Sequence, residues 1–148
     1  MDATDAALVG LVGDLFRHPR PAKMTGDCRC DECEEHEETL QGLTPETVSL
    51  AELGSAAWDP VCMANAEAYR YFLPGLVRLA LAGHGEEYYL DQFLFHLESR
   101  ERLFRDAQER AAIRSVLERL LVTHLDEASS TLDIHVLGRL LDAFAPPG

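Results

Sequence analysis

The sequence predicts an all-α, single-domain bundle of about six to seven helices over residues 1–148. Three observations predict it. Apolar residues recur at intervals of three and four along most of the chain. No segment alternates with the period of a strand, and no internal repeat is evident. The length suits one core, and 47% hydrophobic residues are enough to fill it.

The first helix carries the stripe Leu8, Leu11, Val12, Leu15 and Phe16, with Asp2 or Thr4 available as N-cap. "HPRPAKMTGD" breaks it with two prolines and a glycine. A short helix is expected from near Asp31 to about Gly42. "TPET" then reads as the start of a third, with Thr44 as N-cap and Pro45 at the first helical position. "WDP" (Trp58–Pro60) reads as a turn.

Asn65 can cap a long helix through about Ala82, whose apolar positions cover more than one face and mark it as central. Pro74 inside it removes a hydrogen bond and clashes one turn back, so a kink or a break is expected there. Leu90, Phe93, Leu94 and Leu97 face one way on the next helix, leaving His96 off that face, exposed or at a helix contact. Ile113, Val116, Leu117, Leu120, Leu121 and Leu125 mark another, with His124 on the same stripe as a hydrogen-bonded core histidine. "DEASST" reads as a loop, and the last helix runs from about Thr131 to Phe144.

Charge narrows the function classes. The net charge is −13, which argues against nucleic acid and anionic lipid as partners and permits a basic protein partner. The six arginines of the 100–119 stretch read as a salt-bridged helix face, through the pairs Glu98–Arg102, Glu101–Arg105 and Asp106–Arg110. The most apolar run, 71–83, contains Arg78 and is too short to span a bilayer, and Met1–Phe16 has no basic n-region. A cytoplasmic protein with reduced thiols is expected. The arginine bias, with Lys23 the one lysine, hints at a high-GC bacterium.

The densest chemistry is "GDCRCDECEEHEET", residues 26–39. Cys30, Cys33 and His36 lie three apart and share one helix face, and Cys28 can fold in from the preceding loop. Thiolate and imidazole are the ligands zinc prefers, so Cys28, Cys30, Cys33 and His36 form the candidate zinc site. His18, Cys62 and His84 are the distant candidates to complete it. From Asp27 to Glu38 seven acids stand against Arg29 alone, a field that opposes a reactive thiolate unless a cation arrives. A redox pair, a disulfide, inert thiols and copper(I) are the competing readings. No local motif supplies a nucleophile with its base.

The segments "CDECEEHEETL", "LTPETVSLAELGSAAWDPVCM" and "AYRYFLPGLVRLAL" together resemble an uncharacterised bacterial family with a C-x-x-C-x-E-H segment, a tryptophan-containing turn and a Y-x-L-P helix. Cys30, Cys33, Glu35 and His36 match the first, Trp58–Pro60 the second, and Tyr71, Leu73 and Pro74 the third. The resemblance implies a shared fold and a shared metal site, and no activity. Three functions are therefore expected to compete: an interaction module with a structural zinc, an acidic inhibitor or immunity-type partner of a basic protein, and a metal-dependent enzyme or sensor with an open site.

Overall fold

The computed structural model describes residues 1–27 and 29–147. It is all-α, as expected: α1 (Ala3–Leu15), α2 (Asp31–Gln41), α3 (Leu50–Leu53), α4 (Ala66–Ala82), α5 (Leu90–Ser99), α6 (Ala107–Thr123), α7 (Leu125–Ser129) and α8 (Asp133–Ala143). Short 3-10 turns at Ala56–Trp58 and Pro60–Met63 precede α4. Among the described residues the one β-type pairing is the isolated bridge Thr25–Ala64. None of their helices is long and apolar enough to cross a membrane.

α4 is the axis of the core. Asn65 caps it by accepting from the N–H of Ala68 at 2.8 Å, a contact of about 1 kcal/mol. Its buried residues, among them Tyr69, Phe72, Leu73, Leu76, Val77 and Leu81, point to several sides because α1, α5 and α6 all pack against it. The helix is continuous across Pro74, so the break that proline permits does not occur. Asp2 caps α1, and Arg119 of α6 ties that end down through Asp2 and Asp5. α8 closes the bundle against α5 and α6.

Three local expectations are corrected. "TPET" is a hydrogen-bonded turn, and the third helix starts at Leu50 behind a capping box of Ser49 and Glu52. The reason lies in α4: the Arg78 guanidinium donates to the carbonyls of Pro45 (3.0 Å) and Val48 (2.8 Å), drawing them away from helical partners. "DEASST" is partly helical, as α7. The charge ladder of the 98–110 stretch does not form, because the chain turns at residues 100–106 to bury Phe104 against Phe16, Tyr69 and Phe144. Glu98 pairs with Arg139 instead, and Glu101 with Arg110.

Side-chain to backbone hydrogen bonds tie down the connection from α1 to α2. Glu37 accepts from the N–H groups of Met24 and Thr25 and from the Thr25 hydroxyl. Asn65 donates to the carbonyls of Lys23 and Thr25, and Arg20 to those of Gln41 and Leu43. Burial works against the Glu37 carboxylate, yet the bonds from Gln41, Thr25 and Met24 outweigh it and hold its pKa below the ordinary 4.5.

Candidate metal centre

In the 28–36 segment, Cys30 is the N-cap of α2. Its Sγ accepts from the Cys33 N–H at 3.4 Å, and the two sulfurs are 3.3 Å apart. Cys33 and His36 fall on the buried face of α2, as their spacing requires. The His36 ring packs on Trp58 with centroids 4.5 Å apart, and its Nε2 lies 3.6 Å from Glu32. Cys30, Cys33 and His36 do not gather into a three-ligand group among the described residues. Cys28, the remaining member of that expected set, lies outside them.

Two other groups do gather, each with its ligand atoms within 4.8 Å of one another: Asp59, Cys62 and His96, and His84, His124 and Glu127. Residue groups able to hold a metal are therefore present, and two of the distant candidates, Cys62 and His84, belong to them. His18 belongs to neither; its Nδ1 donates to the carbonyl of its neighbour Pro19.

The first group is built by the 3-10 turn at 60–63. Asp59 caps that turn, its Oδ1 accepting from the Val61 N–H at 2.9 Å, and Pro60 occupies the first position inside it. The turn brings Cys62 round beside Asp59, three residues on. α5 supplies the rest from across the core. His96 Nε2–H donates to Asp59 Oδ2 at 2.6 Å, and the Gln92 amide donates to the same oxygen at 2.9 Å and to the Leu53 carbonyl. Asp59 and His96 are 3% and 1% exposed, so this pair is held in the interior. Cys62 and Phe95 stand at the mouth of a cleft of about 370 Å³, lined also by Ala56, Asp91 and Gln92.

Donation through Nε2 leaves His96 Nδ1 with its lone pair and no partner in a buried position. Few buried polar atoms stay unpaired in native proteins. Here there are four among the described residues: His96 Nδ1, His36 Nδ1 and the hydroxyls of Tyr69 and Tyr89. All flank the same 58–63 segment. His36 packs on Trp58, Tyr69 lies under Arg100, and Arg100 donates to the carbonyls of Val61 and Ala64. Burial and the neighbouring Asp59 push the Tyr89 phenol well up.

The Cys62 thiol is pushed up as well, by burial first and then by Asp59, with Arg100 pulling the other way. This is the reverse of an activated nucleophile, whose pKa must fall. A bound cation would invert that balance, since a coordinating thiol gives up its proton. The donor set is thus suited to an ion rather than to a cysteine–histidine nucleophile. Sulfur, nitrogen and oxygen donors on one ion are a zinc-type set.

The second group is less suited. The His84 and His124 rings are stacked 4.0 Å apart at an interplanar angle of 11°. Imidazole lone pairs lie in the ring plane, so an ion between two parallel rings would sit well out of both planes. His124 is also committed elsewhere: Nε2–H donates to the Gly83 carbonyl at 2.8 Å, and Nδ1 meets the Thr123 hydroxyl at 2.7 Å. The expected core histidine with a hydrogen bond is what His124 is.

No family model, curated protein or solved structure matches the chain. The site must therefore be read from its own geometry. Sequence reasoning passed over Asp59 and His96. Asp59-x2-Cys62 carries the short ligand spacing that could have flagged the first, whereas His96 joins it only through the packing of α5 on the 59–63 turn.

Proposed function

We propose that this chain is a zinc-binding helical protein whose ion is held by Asp59, Cys62 and His96, with a fourth position open to the cleft. The observation that carries it is that one donor atom from each of these three residues lies within 4.8 Å of the others beside the cleft. Three protein ligands with an open position suit a metal-dependent enzyme or sensor better than a closed structural site. When bound, zinc would act there as a Lewis acid on a water or ligand entering the cleft.

Elemental analysis of protein purified under reducing conditions tests this, with Cys62→Ser/His96→Gln and Cys30→Ser/Cys33→Ser variants alongside. The expected result is about one zinc per chain in the wild type and the second variant, and none in the first. Loss of zinc only from the Cys30/Cys33 variant would return the ion to the 28–36 cluster and to the structural-zinc interaction module. No metal in any sample would end the metal reading.

A second reading treats α2 as an acidic docking face for a basic protein. Asp31, Glu34, Glu35 and Glu38 are all exposed on it, in a chain of net charge −13. Equal recovery of basic proteins by the wild type and a Glu34→Lys/Glu35→Lys variant at low salt would count against it.

A further inference from the structure

The cleft beside Asp59, Cys62 and His96 has a wall that the metal reading does not use. Asp91 and Phe95 lie one turn apart on α5 and both line it. Phe95 is 59% exposed, whereas the other five phenylalanines of the chain are 2% exposed or less. Asp91 is exposed in the first turn of α5 and pairs with no cation among the described residues. Ala56, from the turn before Asp59, adds a further apolar surface.

We infer that the cleft takes a small organic cation: a protonated amine on an apolar body, its ammonium beside the Asp91 carboxylate and its apolar part against Phe95 and Ala56.

This names what enters the cleft, and it rests on the metal reading only in treating the cleft as a ligand site. Asp91 stands outside the Asp59–Cys62–His96 donor group. Charge selects the class. Among the described residues that line the cleft none is lysine or arginine, while Asp59 and Asp91 both do so. The Cys62 thiol at the mouth registers the same sign. Burial raises its pKa most, Asp59 and Glu32 push it further, and Arg100 alone opposes them. The Arg100 guanidinium is itself engaged by the carbonyls of Val61 and Ala64.

An entering anion would therefore meet Asp91 with no cation to offset it. An ion at the donor group would not reverse this, because Asp59 and a Cys62 thiolate balance a divalent cation and leave Asp91 as the net charge at the mouth. Shape narrows the class further. A volume of about 370 Å³ is small for a ligand site and suits one ring with a short chain. A carboxylate beside an open aromatic face is a recurring way to hold an organic ammonium group.

The test compares 2-phenylethylamine, 2-phenylethanol and 3-phenylpropanoate, which share a ring and a short chain and differ in charge. Each is titrated into the full chain at pH 7.5 and low salt, once with a chelator and once with zinc. Amide shifts by NMR locate the binding, and the fluorescence of Trp58, the one tryptophan and the neighbour of Asp59, follows it independently. Saturating shifts should centre on residues 56–62 and 91–96, with the amine bound about five- to tenfold more tightly than the alcohol and the carboxylate weakest. Asp91→Asn should bring the amine to the level of the alcohol, and Phe95→Ala should weaken both. Asp126→Asn, which removes an exposed charge from α7 outside the cleft, should change neither.

Equal binding of amine and alcohol, tighter binding of the carboxylate, or an amine affinity unchanged in Asp91→Asn would overturn the assignment. Amine binding seen with zinc alone and indifferent to Asp91→Asn would mean that the neutral amine ligates the ion, and would overturn it too. Should Asp91→Asn not fold, salt decides: the wild type's preference for the amine must shrink at high ionic strength, and a preference that persists refutes the ion pair. Amine selectivity in the chelated protein without zinc uptake would uphold the cleft ligand and sink the metal reading. Zinc uptake without amine selectivity would do the reverse.

Discussion

Replacing Asp59 by alanine should destabilise the metal-free protein by about 3–4 kcal/mol. The carboxylate is 3% exposed and accepts three bonds: from the Val61 N–H at 2.9 Å, the Gln92 amide at 2.9 Å and His96 Nε2 at 2.6 Å. A buried donor that loses its acceptor costs roughly 1–3 kcal/mol. The three together do not reach the full sum, because Gln92 keeps the Leu53 carbonyl and the cleft admits water on one side. Point variants rarely exceed about 4–5 kcal/mol, which bounds the estimate from above. Asp59→Asn should cost less, about 1–2 kcal/mol. Its amide can donate to His96 Nε2 once the imidazole moves its proton to Nδ1, leaving Gln92 as the main loser. Urea unfolding at pH 7.5 with a chelator measures both; zinc added afterwards should then stabilise the wild type and not Asp59→Ala. A loss below about 1 kcal/mol for Asp59→Ala would mean that the Asp59–His96–Gln92 network does not hold α5 to the 59–63 turn, and the site would lose its scaffold.

Two further substitutions probe the frame around the site. At Gly75 an added Cβ would meet the Pro45 carbonyl oxygen at 2.4 Å and Val48 Cγ1 at 2.5 Å. Gly75→Ala should therefore lose about 1–2 kcal/mol net in thermal unfolding, overpacking outweighing the gain in helix propensity; an unchanged or raised Tm would show that the 44–48 turn yields freely. Glu37→Gln should flatten the acid limb of stability, because a carboxylate held below 4.5 stabilises the fold above that pH and loses its contribution as pH falls through its lowered value. Denaturation midpoints of the two proteins that fall in parallel below pH 4.5 would refute that role for Glu37.

Much of the helical frame was legible because its signals are local. Asp2 and Asn65 sit at the caps where their side chains can accept from the first turn, and the stripe of α5 turns inward as its spacing requires. The failures share a different cause, a partner far away in sequence. "TPET" carries a sound helix start, yet Arg78, more than thirty residues later, takes the carbonyls that a helix needs. The charge ladder of 98–110 assumed one continuous helix, and Phe104 breaks it by reaching for three other rings. His96 was off the apolar stripe of α5, but that helix has a second covered side, where Asp59 waits. Periodicity reports one face of a helix; it says nothing about a polar residue buried on the other.

The same distinction separates the cysteine-rich segment from the cleft. The 28–36 cluster announces itself because its candidate donors are adjacent in sequence, and Glu37, Asn65 and Arg20 also anchor this connection through backbone hydrogen bonds. An ion at Asp59, Cys62 and His96 would close a long loop, linking the turn before α4 to α5 across the core. Closing a longer loop removes more freedom from the unfolded chain, so an ion at the cleft would add more to this fold than one held within a few residues. A buried nitrogen without a partner does not separate the two places, since both His96 Nδ1 and His36 Nδ1 are of that kind. His124, by contrast, has both nitrogens satisfied and its ring stacked. The two clusters thus divide by geometry: Asp59, Cys62 and His96 line a cleft, whereas the His84 and His124 rings are stacked face to face.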